Sequence, residues 1–290
     1  MRGDFRSMLL YAVSLVCAPP IVGSARSNGA AHPGVVHHAA LQSRVLRLLP
    51  REPCRRPRGG AMFMAFAETP QPRVGEQRLS SEGAAQRASF GEAQSIGAEL
   101  AARLSESCAT GAPMPQEAVA VLKALLSHTA GARGWFVSLL TNPTFEHIFE
   151  PPLHNALLEA IEASPKTNIR LVVMNVAMPT ATELIHLDNG NSELADASRM
   201  TRDRASKLLV ALLQRKMPGL EEEIKSLLRA LQFEAARQDG ISDGSEADSM
   251  LSDVDKQWLK FARNWEYEEN QRAAIHQQLV QVLTASGSSD

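Results

Sequence analysis

The segment from Asn168 to Leu187 constrains this chain more than any other, because it is apolar around almost its whole circumference. At about 100° per residue, Ile169, Val172, Val173, Met174, Val176, Ala177, Leu184, Ile185 and Leu187 spread over most of the helical wheel, leaving no clean solvent face. Such a helix needs apolar neighbours on several sides. A sheet is not available to supply them: β-branched and aromatic alternation is nearly absent, while Ala, Leu, Glu and Gln dominate. The sequence therefore predicts an all-α fold, a single irregular bundle of about seven helices, with this segment enclosed in it.

Proline and glycine mark the expected boundaries. Residues 68–114 hold a loose, Ala- and Ser-rich helix over Glu76–Ser107. A core domain follows over 115–237. It has a helix opened by Pro115, a short apolar helix Trp135–Leu140 after Gly131, and one begun by Pro151-Pro152. The enclosed helix comes next, then Ser192–Lys216 and Leu220–Arg237. Residues 238–253 are acidic and rich in Gly and Ser, with only Ile241, Met250 and Leu251 as large apolar residues, so they read as a flexible linker. The calcium-loop spacing D-x-[DN]-x-[DN]-G does not occur there. An aromatic-rich helix over 254–285 carries Trp258, Phe261, Trp265 and Tyr267 and is expected to dock on the bundle, a partner-gripping arm being the alternative. Residues 286–290 form a disordered tail.

The first 67 residues have the composition of an address. All nine of their basic residues are arginine, and only Asp4 and Glu52 are acidic. Arg2 and Arg6 precede an apolar run, Met8–Ala18, too short to span a bilayer, and small residues follow at Gly23, Ser24 and Ala25. This reads as a signal peptide over 1–25 and a transit peptide over 26–67, removed near Ala61–Glu68. The pair suits a plastid reached through the secretory route, with the stroma as destination and a mitochondrion as the alternative. Of the 30 basic and 32 acidic residues, nine and two belong to this leader, so 21 and 30 remain. An acidic remainder without a basic cluster argues against nucleic acid as a partner. Cys108 is then the one cysteine outside the leader, which excludes an internal disulfide or a cysteine metal cage.

Candidate site residues come from the enclosed helix. Asn168, Leu171, Asn175, Met178, Pro179, Thr182 and His186 fall on one stripe, and polar groups inside a protein need partners. Pro179 frees the carbonyl of Asn175 and is expected to kink the helix there. Asn175, Thr182 and His186 are the candidate ligand-binding residues, either lining a cavity or joined in an internal hydrogen-bond network. Arg133, between two glycines, is the fourth, its guanidinium placed to engage a carboxylate such as Asp188 or Glu183. Glu183 and His186 form a Glu-x-x-His pair, but a di-iron bundle needs a second such pair, and none occurs. No metal ligand or catalytic residue is assigned, and the cofactor is unknown. Asn189 and Gly190 are expected to be left-handed, with Asn191 capping the next helix. Asp196, Arg199, Arg202, Asp203 and Arg204 read as a solvated face.

Three stretches carry a resemblance: Gly131-Ala132-Arg133-Gly134-Trp135-Phe136, Asn175-Val176-Ala177-Met178 with Thr180-Ala181, and His186 followed by Asn189-Gly190-Asn191. Over about Val121–Leu231 the chain resembles a family of uncharacterised helical proteins of cyanobacteria and plastid-bearing eukaryotes. Pro179 departs from the small polar residue expected of that family. The resemblance implies a compartment and no chemistry.

The expected role is that of a non-enzymatic interaction or assembly protein whose apolar grooves engage another protein. The alternatives are a small-molecule or pigment binder using the helix 168–187 and, third, a metal-dependent enzyme using His186 and Glu183.

Overall fold

Eleven helices and no strand occur among the described residues, 81–238 and 251–287 of a computed structural model. Residues 1–80, which hold the leader and the expected start of the first helix at Glu76, residues 239–250 of the acidic linker and residues 288–290 lie outside the described part. The α-helices are α1 (Glu82–Gln86), α2 (Phe90–Thr110), α3 (Gln116–Leu126), α4 (Thr129–Thr141) and α5 (Asn155–Glu162). They continue with α6 (Pro165–Asp188), α7 (Ser192–Gln214), α8 (Leu220–Gln238), α9 (Asp253–Trp265) and α10 (Glu269–Ser286). A 3₁₀ helix, Pro143–Phe149, lies between α4 and α5.

The all-α class holds, but the count of about seven is too low, and serine caps account for part of the difference. Ser89 and Glu92 form a capping box that starts α2 afresh after α1, where a single helix was expected. Ser252 and Asp255 do the same for α9. The expected continuous C-terminal helix is broken at Glu266, which takes a left-handed conformation (φ 50°), and Glu268 with Gln271 opens α10.

Helix α6 packs along α7 and also meets α4, α5, α8 and α10. Val172, Val173, Val176 and Ala177 are fully buried at its middle. Enclosure ends in the last turn, where Ile185 and Leu187 are 42% and 47% exposed. The helix carries through Pro179 as one α-helical element, and Thr180 Oγ1 donates to the Val176 carbonyl at 2.7 Å just beside it. Asn168 at the buried end donates through Nδ2 to the carbonyls of Ile161 (3.0 Å) and Leu126 (3.3 Å), tying α6 to α5 and α3.

Gly131 and Gly134, expected as a boundary before a short helix, lie inside α4 instead. Their role is close approach. A Cβ on Gly134 would sit 2.5 Å from Ala93 Cβ and 2.9 Å from the backbone of α2, and one on Gly131 would sit 2.0 Å from the Leu125 carbonyl oxygen. Ser138 uses that proximity to donate across to the Gln94 carbonyl at 2.8 Å. His128 caps α4: its Nδ1 accepts from Gly131 N–H, which leaves Nε2–H to donate to the Ala85 carbonyl of α1.

Two polar expectations are also corrected. Arg204 is not on a solvated face: it is 1% exposed, lies over the Phe149 ring, and donates to the carbonyls of Leu140 and Asn142 and to the Glu146 carboxylate. Asn191 makes no side-chain cap bond, and Asn189 is not left-handed (φ −85°). Asn189 Nδ2 instead donates to the Ile185 carbonyl, and only Gly190 takes a positive φ.

The α9–α10 pair is held on the bundle by aromatic burial and buried carboxylates. Trp258 is fully buried, stacked under the Arg170 guanidinium of α6 at 4.4 Å and edge-on to Phe261 at 5.2 Å. Glu234 of α8 accepts from Arg263 of α9 at 2.8 Å and from Arg237 at 2.8 Å, and Asp255 of α9 accepts from Arg229 of α8 at 2.9 Å.

Candidate functional site

Where α10 lies along α7, a groove of about 540 Å³ opens on the surface, within the range of ligand and peptide sites. One wall is a face of α7 made by Lys207, Val210, Ala211 and Gln214 and continued by Arg215 at its C-cap. These positions recur at helical spacing, so they share one side of that helix. The facing wall is α10, with Gln278, Gln281, Val282 and Ala285 at the same kind of spacing. Leu158 of α5 and the segment Pro151–Leu153 close the end. Gln278 Nε2 donates to Ser206 Oγ at 3.2 Å and links the walls, while Val282 and Leu158 form the apolar floor. Lys207 and Arg215 are the charged residues of the lining, which contains no carboxylate. A second groove, of about 550 Å³, lies at the α7–α8 turn, around Lys216–Gly219 and the end of α10.

The residues singled out from sequence sit elsewhere. Asn175, Thr182 and His186 share a half-buried face of α6 and line neither of these two grooves. Thr182 Oγ1 donates to the Met178 carbonyl of its own helix at 2.8 Å. Asn175 makes no side-chain hydrogen bond to any described residue, so the three do not form the internal network that was one expectation. His186 Nε2 is enclosed without a partner, and burial holds the imidazole below its usual pKa, favouring the neutral ring.

Arg133 is not joined to Glu183. It lies over the Phe90 ring at 5.6 Å, and burial depresses its pKa. Glu183 is claimed by two other cations: Arg199 Nε donates to it at 2.8 Å, and Arg202 makes a short bond to its second oxygen. That carboxylate, 7% exposed, fastens α6 to α7. Both of its oxygens accept from arginines. Among the described residues no group of three or more His, Cys, Asp or Glu side chains converges as a metal site.

Residues 89–243, more than half of the chain, match the model of a family described as "Uncharacterised conserved protein UCP020893". The chain belongs to this family. No curated protein and no solved structure matches it. The family segment includes α5 and α7, which give one side and the end of the groove, and stops before α9 and α10. The other wall therefore comes from outside the matched residues.

Sequence reasoning missed the groove residues. In a single helix their signal is weak: Val282 has the spacing of a core residue, and Lys207 and Gln281 look like ordinary surface residues. Only the packing of α10 on α7 makes a site of them.

Proposed function

We propose that this protein is a non-enzymatic interaction module that seats a segment of another protein in the groove between α5, α7 and α10. The observation that carries this reading is a groove with an apolar floor whose two helical walls are tied by the Gln278–Ser206 bond and lined at the rim by amides. Such a groove suits an apolar stretch of polypeptide, because the floor buries side chains and the amides satisfy polar groups at the edge. The test compares native mass spectra of complexes formed by the parent chain and by Ala211→Trp, which fills the groove. A protein partner kept by the parent and lost by the variant supports the reading; a partner kept equally by both refutes it.

A second reading has one observation in its favour, the enclosed, unpartnered Nε2 of His186 on the face shared with Thr182 and Asn175. It places a small molecule or pigment on α6. Extra mass on the parent chain that is lost from His186→Phe would support it against the groove.

The leader supports plastid delivery, with a mitochondrion as the alternative. Residues 1–67 fused to a fluorescent protein are expected to carry it into plastids. Fluorescence confined to mitochondria would replace that destination.

No helix among the described residues is long and apolar enough to cross a membrane.

A further inference from the structure

We infer that the groove takes an amphipathic helix that carries two carboxylates about two turns apart along one flank; this rests on the groove reading above and adds the chemistry of its occupant. Two features of the lining carry it, its sign and its length. Outside the leader the chain has 30 acidic against 21 basic residues, yet the groove lining contains Lys207 and Arg215 and no carboxylate. Each cation has one carboxylate beside it, Glu146 or Glu162, so an acid-bearing occupant is met by the N–H donors these pairs leave over.

Lys207 on α7 and Arg215 at its C-cap stand eight residues apart and both line the groove, about 12 Å from each other along the axis at 1.5 Å per residue. A partner helix lying alongside presents carboxylates at that separation when they are seven residues apart, which also keeps them on one flank. Between them, Val210 and Ala211 of α7 face Val282 and Ala285 of α10, and these fit the apolar stripe of such a helix.

Both cations have donors to spare. Lys207 has its ion partner, Glu146, at 3.9 Å, and that carboxylate is already bonded to Arg204 at 2.6 Å. Arg215 gives two hydrogen bonds to Glu162 at 2.8 Å each and a long one to Asn155 at 3.5 Å, out of five N–H donors. Gln214 and Gln281, exposed at the rim, have amides available for the polar flank of the occupant.

The test is fluorescence anisotropy on the full chain with two labelled synthetic helices. Both carry leucines at i, i+3, i+4 and i+7; one has glutamates at i+1 and i+8, and the other has glutamines there. The glutamate helix is expected to bind about fivefold tighter than the glutamine helix at low salt, from two partly exposed charge pairs. Lys207→Glu should abolish or reverse that preference, and raising the salt should shrink it. Equal binding of the two helices by the parent, with both lost in Ala211→Trp, would overturn the carboxylate inference and leave the groove standing. Failure of both helices to bind, or binding untouched by Ala211→Trp, would overturn the groove reading with it.

Discussion

Gly134 gives the sharpest test of how this bundle is assembled, because local propensity and packing demand opposite signs. In a helix interior, glycine to alanine ordinarily stabilises by about 1 kcal/mol through lost backbone entropy in the unfolded chain. At Gly134 the added methyl would lie 2.5 Å from Ala93 Cβ and 2.9 Å from both Ala93 C and Gln94 N. Two of those atoms are backbone, so no rotamer change relieves the contact and α2 must move away from α4. Overpacking of that kind costs about 1–3 kcal/mol, and here it also stretches the Ser138–Gln94 bond of 2.8 Å. Gly134→Ala is therefore expected to be less stable than the parent by about 1–2 kcal/mol, or roughly 3–6 °C in Tm for a chain of this size. Gly91, also in α2, has no neighbour within 4 Å of its would-be Cβ, so Gly91→Ala should be neutral or stabilising by up to about 1 kcal/mol. Urea and thermal unfolding of the two variants beside the parent make the comparison. Gly134→Ala no less stable than Gly91→Ala would refute the close approach of α2 and α4.

Arg204→Met should cost about 3 kcal/mol in urea unfolding, since it leaves the Leu140 carbonyl without its donor and takes the guanidinium from Glu146, whereas Lys207→Met nearby should cost less than about 0.5 kcal/mol; similar losses would contradict the burial of Arg204. Asn168→Leu is expected to lose about 1–3 kcal/mol by orphaning the Leu126 carbonyl and removing one of the donors to that of Ile161, while Asn175→Leu, which breaks no side-chain bond to a described residue, should be tolerated; equal effects in thermal melts would count against this division. Burial alone would raise the pKa of Glu234, but the bonds from Arg237 and Arg263 outweigh it and hold the carboxyl below its usual 4.5. Its contribution is thus full above the unfolded pKa and lost as pH falls through the lower folded value. The stability gap between the parent and Glu234→Gln should be widest near neutrality and close as the pH falls below the usual carboxyl range and through the lowered folded pKa; a gap constant down to acid pH would show that Glu234 is not held by charge.

The class of the fold was legible because it depends on composition and period, and both agree over α3, α6, α7 and α8. The boundaries were legible only where one residue has one role. Glycine has two: Gly190 does mark a turn, with φ +71°, while Gly131 and Gly134 permit contact between helix backbones far apart in sequence. Nothing local separates these uses, so α4 was expected six residues too late. Arginine is ambiguous in the same way. Arg199 and Arg204 look alike in a helical face, yet Arg199 is exposed and Arg204 is enclosed by the turn after α4. The stripe of Asn175, Thr182 and His186 was found because it lies on one helix. The groove joins α5, α7 and α10, and no window of sequence contains it.

The placement of charge links the fold to the proposed site. Glu183, Glu234 and Asp255 are buried carboxylates, and each is consumed by arginines that fasten one helix to the next: α6 to α7 through Glu183, and α8 to α9 through the other two. A buried carboxylate left alone would be costly, so these positions need their cations and cannot offer them to a partner. Lys207 and Arg215 belong to no such clamp across α7 and α10: their carboxylates lie on the 3₁₀ helix and on α5, at the margin of the groove. The α7–α10 contact is instead made by apolar residues and the neutral Gln278–Ser206 bond. Neutral walls with cations at the margin leave N–H donors there that no clamp between α7 and α10 consumes. Those donors are the reason to expect an acid-bearing occupant, and the groove beside them exists only once the hairpin outside the family segment has docked.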